Sequence, residues 1–283
     1  MQTESLNEKA KGIKLVITDM DGTLLHSDKS VSEFTLETIK RIREKGIDFT
    51  VCTGRSYAWL GDYVQHLGIN CPLIGSNGCE IVHGGTGDRL YTVSLGFENA
   101  AKAIGYCIDH GLDFFCETPN GWIIPHYISN MDPFPGFYPD LPLNGFSLDK
   151  TIRVKEKSQL EALTVFKVVV WITYGNEGEL MRELVSQMTG VELIHSARDI
   201  YEILPENNNK GKSFLKLCDI MGIDPSECCA LGDFDNDLPM LSAAGISVAV
   251  ANAPSRIKDA VDYVTTTNNE DGVAKALNKI FLN

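Results

Sequence analysis

Three short apolar runs near the start of the chain, each followed by a loop of small or polar residues, constrain the fold more than any other feature. The first, Lys14–Thr18, is rich in β-branched residues, which is typical of a strand buried on both faces. The others are Ile47–Cys52 and Pro72–Gly75, and a helical spacing of apolar residues over Val31–Lys45 separates the first two runs. Strands that alternate with helices in this way predict a parallel α/β sheet.

The pattern changes in the middle of the chain and later returns. From about Val82 to Leu204, strand-like segments such as Phe166–Tyr174 stand among helices such as Asn99–His110. Asn130–Leu143 carries four prolines and three aromatic residues, which is typical of an ordered or lid-like loop. After Lys210 the alternation resumes. We therefore predict one α/β core in two sequence pieces, 1–84 and 205–283, with an α+β domain of residues 85–204 inserted between them.

The loops at the predicted strand ends carry residues that are capable of chemistry. Asp19 and Asp21 leave the first strand, and a second acidic cluster, Gly232–Asp237, follows a late strand. Ligands bind at the carboxyl ends of the strands in an open parallel sheet, so a single site could gather Asp19, Thr53 and Asp233. Bringing Asp19, Asp21 and Asp233 together without a cation would cost strong like-charge repulsion. Mg²⁺, a hard cation that prefers oxygen ligands, would remove that cost.

Each loop also has a structural interpretation when it is taken alone. The cluster around Asp233 fits a helix N-cap with favourable charges. Lys210 precedes a predicted helix at Ser213–Met221, where it could reach a phosphate or a carboxylate but could equally be an ordinary surface lysine. Thr53 and Gly54 stand at a predicted helix start, where backbone N–H groups could hold an anionic oxygen. No single loop is decisive.

The order of the motifs is more specific than any one of them. Along the chain they are DMDGT at 19–23, TGR at 53–55, Lys-Gly at 210–211 and GDFDND at 232–237. This order resembles the haloacid dehalogenase superfamily, and most of all its Cof-type phosphatase branch with a type IIB cap. The resemblance covers nearly the whole core, including Ser76–Gly78. It implies a Rossmann-like parallel-sheet core with an inserted α+β cap domain, and a Mg²⁺-dependent phosphatase that hydrolyses a small phosphomonoester through an aspartyl-phosphate.

The resemblance also implies roles in the reaction. Asp19 would be the nucleophile that attacks phosphorus. Asp21 would protonate the leaving oxygen and then deprotonate the hydrolytic water. Thr53, Gly54 and Lys210 would bind the phosphoryl group, with Lys210 also counted among the catalytic residues because it stabilises the transferring charge.

The same resemblance implies the metal ligands. Mg²⁺ would be held by the carboxylates of Asp19 and Asp233 and by the backbone carbonyl of Asp21. Asn236 and Asp237 would support this loop, with Asp237 orienting either Lys210 or a metal-bound water.

The sequence determines which residues contact the substrate less well than it determines the catalytic residues. Arg55 is the last residue of the TGR motif and could bind the leaving group, or equally could form a surface ion pair. In the inserted domain the candidates are Glu117, Asn120, Trp122 and the pair Phe137–Tyr138, each of which also has a purely structural interpretation. A sugar phosphate and a ring-bearing phosphate both remain open as the substrate.

The composition of the chain limits the classes of molecule that it is expected to bind. The chain has 25 basic and 38 acidic residues, a formal net charge of −13, which argues against nucleic acid as the main partner. No run approaches the ~18 apolar residues of a membrane span. Eight cysteines show neither a CxxC pair nor zinc-ligand spacing, which favours buried, reduced thiols. We expect a cytoplasmic protein, slightly favour a monomer, and expect a small phosphorylated metabolite as the partner.

Two alternatives to a phosphatase stay open. A phosphomannomutase-like phosphotransferase would keep the same core but pass the phosphoryl group to a second sugar. A non-catalytic regulatory binding protein would keep the fold without the reaction, and loss of Asp19 or Asp233 would have indicated it. Both residues are present.

Overall fold

The computed structural model describes residues 6, 8–119, 121–126, 152–155, 163–171, 175–197 and 200–282. The chain divides into two compact units. The first comprises Met1–Gly54, Asp62–Tyr91 and Asn209–Asn283, and the second comprises Arg55–Gly61 and Thr92–Asn208. Within the described ranges, none of the helices has both the length and the apolar character needed to span a membrane.

Strands and helices alternate through much of the chain. In chain order the strands of the described residues are β1 (Leu15–Thr18), β2 (Asp48–Val51), β3 (Pro72–Gly75), β4 (Glu80–His83), β5 (Arg89–Thr92), β6 (Phe114–Thr118), β7 (Gly121–Pro125), β8 (Ile152–Val154), β9 (Lys167–Trp171), β10 (Val191–Ala197), β11 (Ile200–Pro205), β12 (Cys228–Gly232), β13 (Ile246–Ala249) and β14 (Tyr263–Val264). The helices are α1 (Glu33–Glu44), α2 (Tyr57–Leu60), α3 (Asp62–His66), α4 (Gly96–Asp109), α5 (Glu177–Ser186), α6 (Lys210–Met221), α7 (Leu238–Ala243), α8 (Ser255–Lys258) and α9 (Gly272–Leu277).

A parallel sheet of five strands forms the centre of the first unit, in the order β14-β13-β12-β1-β2. Every residue of β1 and β12 is buried, as expected for strands that are covered on both faces. The last residue of β1, Thr18, lies opposite Leu231 of β12 and Val51 of β2. The three strands therefore end at one edge of the sheet, and the loops that follow them start close together. The predicted α/β class is confirmed.

Helix α1 covers the first connection of this unit. Serine before a helix predicts an N-cap, and Ser32 is that cap: its side chain accepts a hydrogen bond from the backbone N–H of Thr35. Ile39 and Ile42 lie on its buried face. A smaller sheet in the order β3-β4-β5 belongs to the same unit, and a parallel bridge between Cys52 and Ile74 connects the end of β2 to β3.

The second unit contains a sheet of six strands in the order β10-β11-β9-β6-β7-β8. Its pairs are antiparallel except for β7 with β8. One face packs against α4 and α5 through a buried apolar cluster that includes Ile104, Phe114, Val168 and Met181. A second cluster contains Phe115, Trp122 and Val169 together with Trp59 of α2, and the rings of Trp59 and Trp122 stack with centroids 3.5 Å apart.

Some element boundaries differ from the sequence predictions. The residues after the TGR motif predict one helical stretch through about Leu67, but the structure has two short helices there, α2 and α3, because Gly61 between them adopts a φ of 43°. The terminal helix ends at Leu277 and continues as a wider turn over Asn278–Leu282. The helix expected to begin at Ser213 begins three residues earlier, at Lys210.

Candidate active site

Asp19 lies where β1 ends, beside the neighbouring strand. Its backbone N–H donates to the carbonyl oxygen of Leu231 at 2.9 Å, so the loop leaves the sheet with its first residue still paired. The Asp19 side chain is buried. A carboxylate held in this way has a fixed position at the carboxyl edge of the sheet, which is where ligands bind in parallel α/β folds.

The loop after Asp19 contacts the loop after β12. The hydroxyl of Thr23 donates to Oδ1 of Asp233 at 2.6 Å. Gly22 has a φ of 85°, and a Cβ atom placed there would lie 2.7 Å from Oδ2 of Asp233. Only glycine satisfies both conditions, because any other side chain would be strained and would displace the carboxylate.

Lys210 connects the nucleophile candidate to a third carboxylate. Its Nζ lies 2.5 Å from Oδ1 of Asp19 and 2.6 Å from Oδ1 of Asp237, and all three side chains are buried. Lys210 is the first residue of α6, and Asn209 caps that helix by accepting from the backbone N–H of Lys212. Lys210 thus does not precede the helix, as the sequence predicted, but forms part of its first turn.

Asp237 is held by both of its carboxylate oxygens. Oδ1 accepts from Lys210, while Oδ2 accepts from the backbone N–H groups of Asp233 at 2.9 Å and Phe234 at 3.0 Å. These contacts order the loop that carries Asp233. The geometry favours Asp237 as a residue that supports Lys210 and the loop rather than as a metal ligand.

Burial and crowding perturb these groups. Burial raises the pKa of Asp19 well above its usual value, and the Lys210 ammonium opposes that rise without cancelling it. Burial, with the Asp237 carboxylate adding to the effect, raises the pKa of Asp233 to about 6. Burial lowers the pKa of Lys210, but the charges of Asp19 and Asp237 outweigh it, so this pKa lies well above its usual value. Lys210 is therefore charged at neutral pH.

The same carboxylates could hold a metal ion. Asp19 and Asp233 each offer an oxygen to such an ion, and these atoms lie within 4.8 Å of one another and of an oxygen of Asp237, which adds its charge to the group. Three ionised carboxylates beside one ammonium group leave two negative charges uncompensated, which a divalent cation would balance. Hard oxygen donors are the ligands that Mg²⁺ prefers. The donor set fits a magnesium ion.

Two further loops border the carboxylates. The carbonyl oxygen of Thr53 accepts from the backbone N–H of Asn77 at 3.0 Å, and a Cβ atom at Gly54 would lie 3.3 Å from Oδ1 of Asn77. The same Oδ1 accepts from the side chain of Asn236 at 3.1 Å. Asn77 therefore connects the Thr53 loop to the Asp233 loop, and Asn236 holds its own loop through this contact.

Asp21 is less buried than Asp19. Its side chain is 34% exposed, and its Oδ1 lies 2.8 Å from Nζ of Lys29. A carboxylate at this exposure can be reached by a substrate and by water, as proton transfer requires.

The candidate substrate residues lie in the second unit or outside the described residues. Arg55 is buried and belongs to the second unit. Glu117 lies 3.6 Å from Nζ of Lys167, and Trp122 stacks on Trp59, so both have a structural role within that unit. The remaining candidates and the predicted loop, namely Asn120, Phe137–Tyr138 and Asn130–Leu143, lie outside the described residues.

Three residues of the site received no individual role from the sequence. Thr23 and Asn77 belong to the DMDGT and Ser76–Gly78 segments, but their contacts depend on how separate loops meet. Lys29 lies in an ordinary polar segment, and nothing in its spacing indicates a contact with Asp21. The signal available for Asn77 was its position at a strand end before glycine, where asparagine tolerates the left-handed conformation seen here, with a φ of 55°.

The close approach of α6 to α7 places Lys210 beside Asp237. A Cβ atom at Gly211 would lie 2.5 Å from Cβ of Pro239 and 2.6 Å from its carbonyl carbon. We expect Gly211→Ala to force the helices apart and to lower the free energy of unfolding by about 1–3 kcal/mol, measured by denaturant titration. Gly12→Ala is the matched control, because its added Cβ would lie 3.9 Å from the nearest atom. Equal stability of both variants would contradict this packing.

Known proteins resemble this chain over most of its length. A family model described as haloacid dehalogenase-like hydrolase matches residues 16–277. The chain is 29% identical over 284 residues to 5-amino-6-(5-phospho-D-ribitylamino)uracil phosphatase YwtE of Bacillus subtilis (strain 168), covering 95% of this chain and 98% of that protein. It is 28% identical to an HMP-PP phosphatase of Yersinia pseudotuberculosis serotype I (strain IP32953), covering 87% of this chain and 86% of that protein. The crystal structure of a haloacid dehalogenase-like hydrolase from Bacteroides thetaiotaomicron matches with a TM-score of 0.83 at 28% identity, covering 95% of this chain and 100% of that chain.

Proposed function

The chain belongs to the haloacid dehalogenase-like hydrolase family, and on that premise we propose that it is a Mg²⁺-dependent phosphatase that hydrolyses a small phosphomonoester with Asp19 as its nucleophile. The family and the enzyme class predicted from the sequence are confirmed. The residue roles, the metal and the substrate class are proposals.

One observation supports this function more than any other. Asp19 is a buried carboxylate at the sheet edge with Lys210 at 2.5 Å, and Asp233 offers a second carboxylate oxygen within 4.8 Å of an Asp19 oxygen. Asp237 holds Lys210 through a hydrogen bond. Thr23 holds Asp233 in the same way. A nucleophile, a cationic group and a metal-ligand pair preorganised in one place are what phosphoryl transfer requires, since catalysis there is mostly positioning and charge stabilisation.

The reaction would proceed in two displacements. In the first, a carboxylate oxygen of Asp19 forms a bond to phosphorus while the bond from phosphorus to the leaving oxygen breaks, and Asp21 gives its proton to that oxygen. In the second, Asp21 takes a proton from water as the water oxygen attacks phosphorus, which releases inorganic phosphate and restores Asp19. Lys210, Thr53 and the backbone at Gly54 would stabilise charge on the phosphoryl oxygens.

The magnesium ion would be held by the carboxylates of Asp19 and Asp233 and by the backbone carbonyl of Asp21. When bound, it would neutralise charge on the carboxylates and on the phosphoryl group. Asp237, with both oxygens already accepting hydrogen bonds, would support the loop, and Asn236 would do so through Asn77.

Residues 85–204, most of which belong to the second unit, are proposed as the substrate-selecting cap. The division into a core of 1–84 and 205–283 and a cap of 85–204 is part of this proposal, as is a contact of Arg55 with the leaving group. One relative is named for a phosphate that carries a ribityl chain and a uracil ring, so we propose ring-bearing phosphates beside sugar phosphates as substrates. We also propose a monomer in the cytoplasm, a compartment whose reducing conditions suit eight buried free thiols.

A panel of phosphorylated metabolites tests the function. Each compound is incubated with the protein and Mg²⁺, and inorganic phosphate is measured to rank kcat/KM. Stoichiometric phosphate release without an acceptor sugar is expected. Release only in trace without an acceptor would favour the phosphotransferase alternative, and binding without turnover would favour the regulatory one.

Asp233→Asn tests the metal site. The amide is a weaker ligand for a hard cation, so we expect the Mg²⁺ concentration for half-maximal activity to rise by about 10- to 100-fold. Asp235→Asn is the matched control in the same loop, because Asp235 is exposed and pairs with Arg256 at 2.6 Å. The Mg²⁺ titration of the control should equal that of the unchanged protein. An unchanged Mg²⁺ requirement in Asp233→Asn would remove Asp233 from the ligand set.

A further inference from the structure

Lys29 contacts the residue that is proposed to move the proton. Its Nζ lies 2.8 Å from Oδ1 of Asp21, eight residues earlier in the chain. Both side chains are about one-third exposed, at 29% for Lys29 and 34% for Asp21. The pair therefore lies at the accessible side of the site, where Lys29 can influence Asp21 without being part of the buried core.

The turn that carries Lys29 is held by several hydrogen bonds. The backbone N–H of His26 donates to Ser30 at 3.0 Å, and the N–H of Lys29 donates to His26 at 2.9 Å. The hydroxyl of Tyr63 donates to the carbonyl oxygen of Lys29 at 2.7 Å. Lys29 itself has a φ of 67°, a left-handed conformation that is uncommon for a residue other than glycine. The backbone of Lys29 is thus held by hydrogen bonds within its own turn and by the Tyr63 hydroxyl.

The turn is also anchored to the end of the unit. Nε2 of His26 lies 2.9 Å from Oδ1 of Asp271, and the same oxygen accepts from Ser32 at 2.6 Å and from Thr35 at 3.2 Å. Asp271 precedes α9, so the turn is tied to both the start of α1 and the start of α9. A lysine on such a turn has a far narrower range of positions than a lysine on a free loop.

We propose that Lys29 is a positioning residue for Asp21, which it holds in the orientation needed for proton transfer in both displacements. This inference rests on the proposed function. A carboxylate rotates about its last side-chain bond, and an ammonium group on one oxygen fixes the place of the other oxygen. The proton still passes only between Asp21 and the leaving oxygen or the water. Lys29 takes no part in bond making or breaking.

The variants are chosen so that the fold is retained. Exposed ion pairs add little to stability, so Lys29→Met, which keeps the length and removes the charge, should fold normally. Lys29→Arg keeps a positive donor and is the rescue variant. Lys40→Met is the matched control, because Lys40 is 66% exposed and pairs only loosely with Glu37 at 3.9 Å. Thermal unfolding of each variant checks the fold.

The test is a double-mutant cycle with Asp21→Asn, followed with p-nitrophenyl phosphate and Mg²⁺. This substrate has a leaving group that departs without a proton, so the first displacement still proceeds when Asp21 is altered, and the residual kcat is set by slow, unassisted attack of water on the aspartyl-phosphate. We expect Lys29→Met to lower kcat by about 10- to 100-fold with little change in KM, and Lys29→Arg to recover most of the loss. In the Asp21→Asn background, Lys29→Met should change kcat by no more than about twofold, since the group that it positions is gone.

Three results would overturn the inference. They are full activity of Lys29→Met, an equal loss in both backgrounds, and a loss that appears in KM alone, the last of which would make Lys29 a substrate ligand. An absence of Mg²⁺-dependent p-nitrophenol release from the unchanged protein would instead contradict the proposed function, so the two failures are distinguishable.

Discussion

Asp19→Asn is expected to lower kcat/KM for every phosphomonoester by at least about 1,000-fold. The amide is close in size to the carboxylate but lacks the charged oxygen that would attack phosphorus. The hydrogen bond from the Asp19 backbone to Leu231 does not involve the side chain, and Lys210 keeps its contact with Asp237 at 2.6 Å. The variant should therefore fold, and the loss should be one of chemistry. Phosphate release in the presence of Mg²⁺ measures it.

A control separates lost chemistry from lost structure. Asp235→Asn removes an exposed carboxylate in the same unit. Its activity and its thermal unfolding should both equal those of the unchanged protein. Asp19→Ala should be as inactive as Asp19→Asn. Equal turnover by Asp19→Asn and the unchanged protein would contradict the assignment of the nucleophile.

Lys210→Met is expected to have the second-largest effect, because it acts on both stability and rate. Removing the ammonium leaves Asp19 and Asp237 as two buried carboxylates without their shared cation. Breaking a buried ion pair by removal of one partner typically costs about 3–5 kcal/mol, and we expect a loss of that order in the free energy of unfolding. Loss of a charge that stabilises the transferring phosphoryl group should lower kcat by about 100- to 1,000-fold.

The two effects are measured on the same samples. Denaturant titration gives the stability, and phosphate release at a temperature where the variant is folded gives the rate. Lys216→Met, an exposed lysine on the same helix, is the control and should be neutral in both. A Lys210→Met variant of unchanged stability would show that the buried carboxylates do not depend on this cation.

The core of the fold was accessible from local patterns. The strand β1 follows from a buried apolar run, and the helix α1 with its Ser32 cap follows from helical spacing. Each pattern can be recognised from a short stretch of sequence without knowledge of tertiary contacts. The start of α6 was missed because an N-cap is decided by backbone conformation, and Asn209 is one of three consecutive asparagines. The sequence patterns do not predict β10 and β11, although these consecutive strands pair with each other and β11 also pairs with β9.

The candidate site likewise contains residues that the sequence predicts and contacts that it does not. Asp19, Lys210, Asp233 and Asp237 could be singled out because each belongs to a short motif, and the structure brings all four together. The contact of Lys29 with Asp21 could not be predicted, because it requires the turn after β1 to fold back on its own loop. Such contacts depend on tertiary approach and leave no periodic trace in the sequence.

Covalent capture of the phosphoryl group on Asp19 is the most direct test of the nucleophile. In Asp21→Asn, p-nitrophenyl phosphate can still phosphorylate the chain, but the hydrolytic water has lost its base, so the aspartyl-phosphate should accumulate. Peptide mass spectrometry after rapid quenching should find one phosphoryl group on the peptide that contains Asp19. The doubly substituted Asp19→Asn, Asp21→Asn protein should carry none. A phosphoryl group on another residue, or no covalent species while the unchanged protein turns over, would contradict Asp19 as the nucleophile.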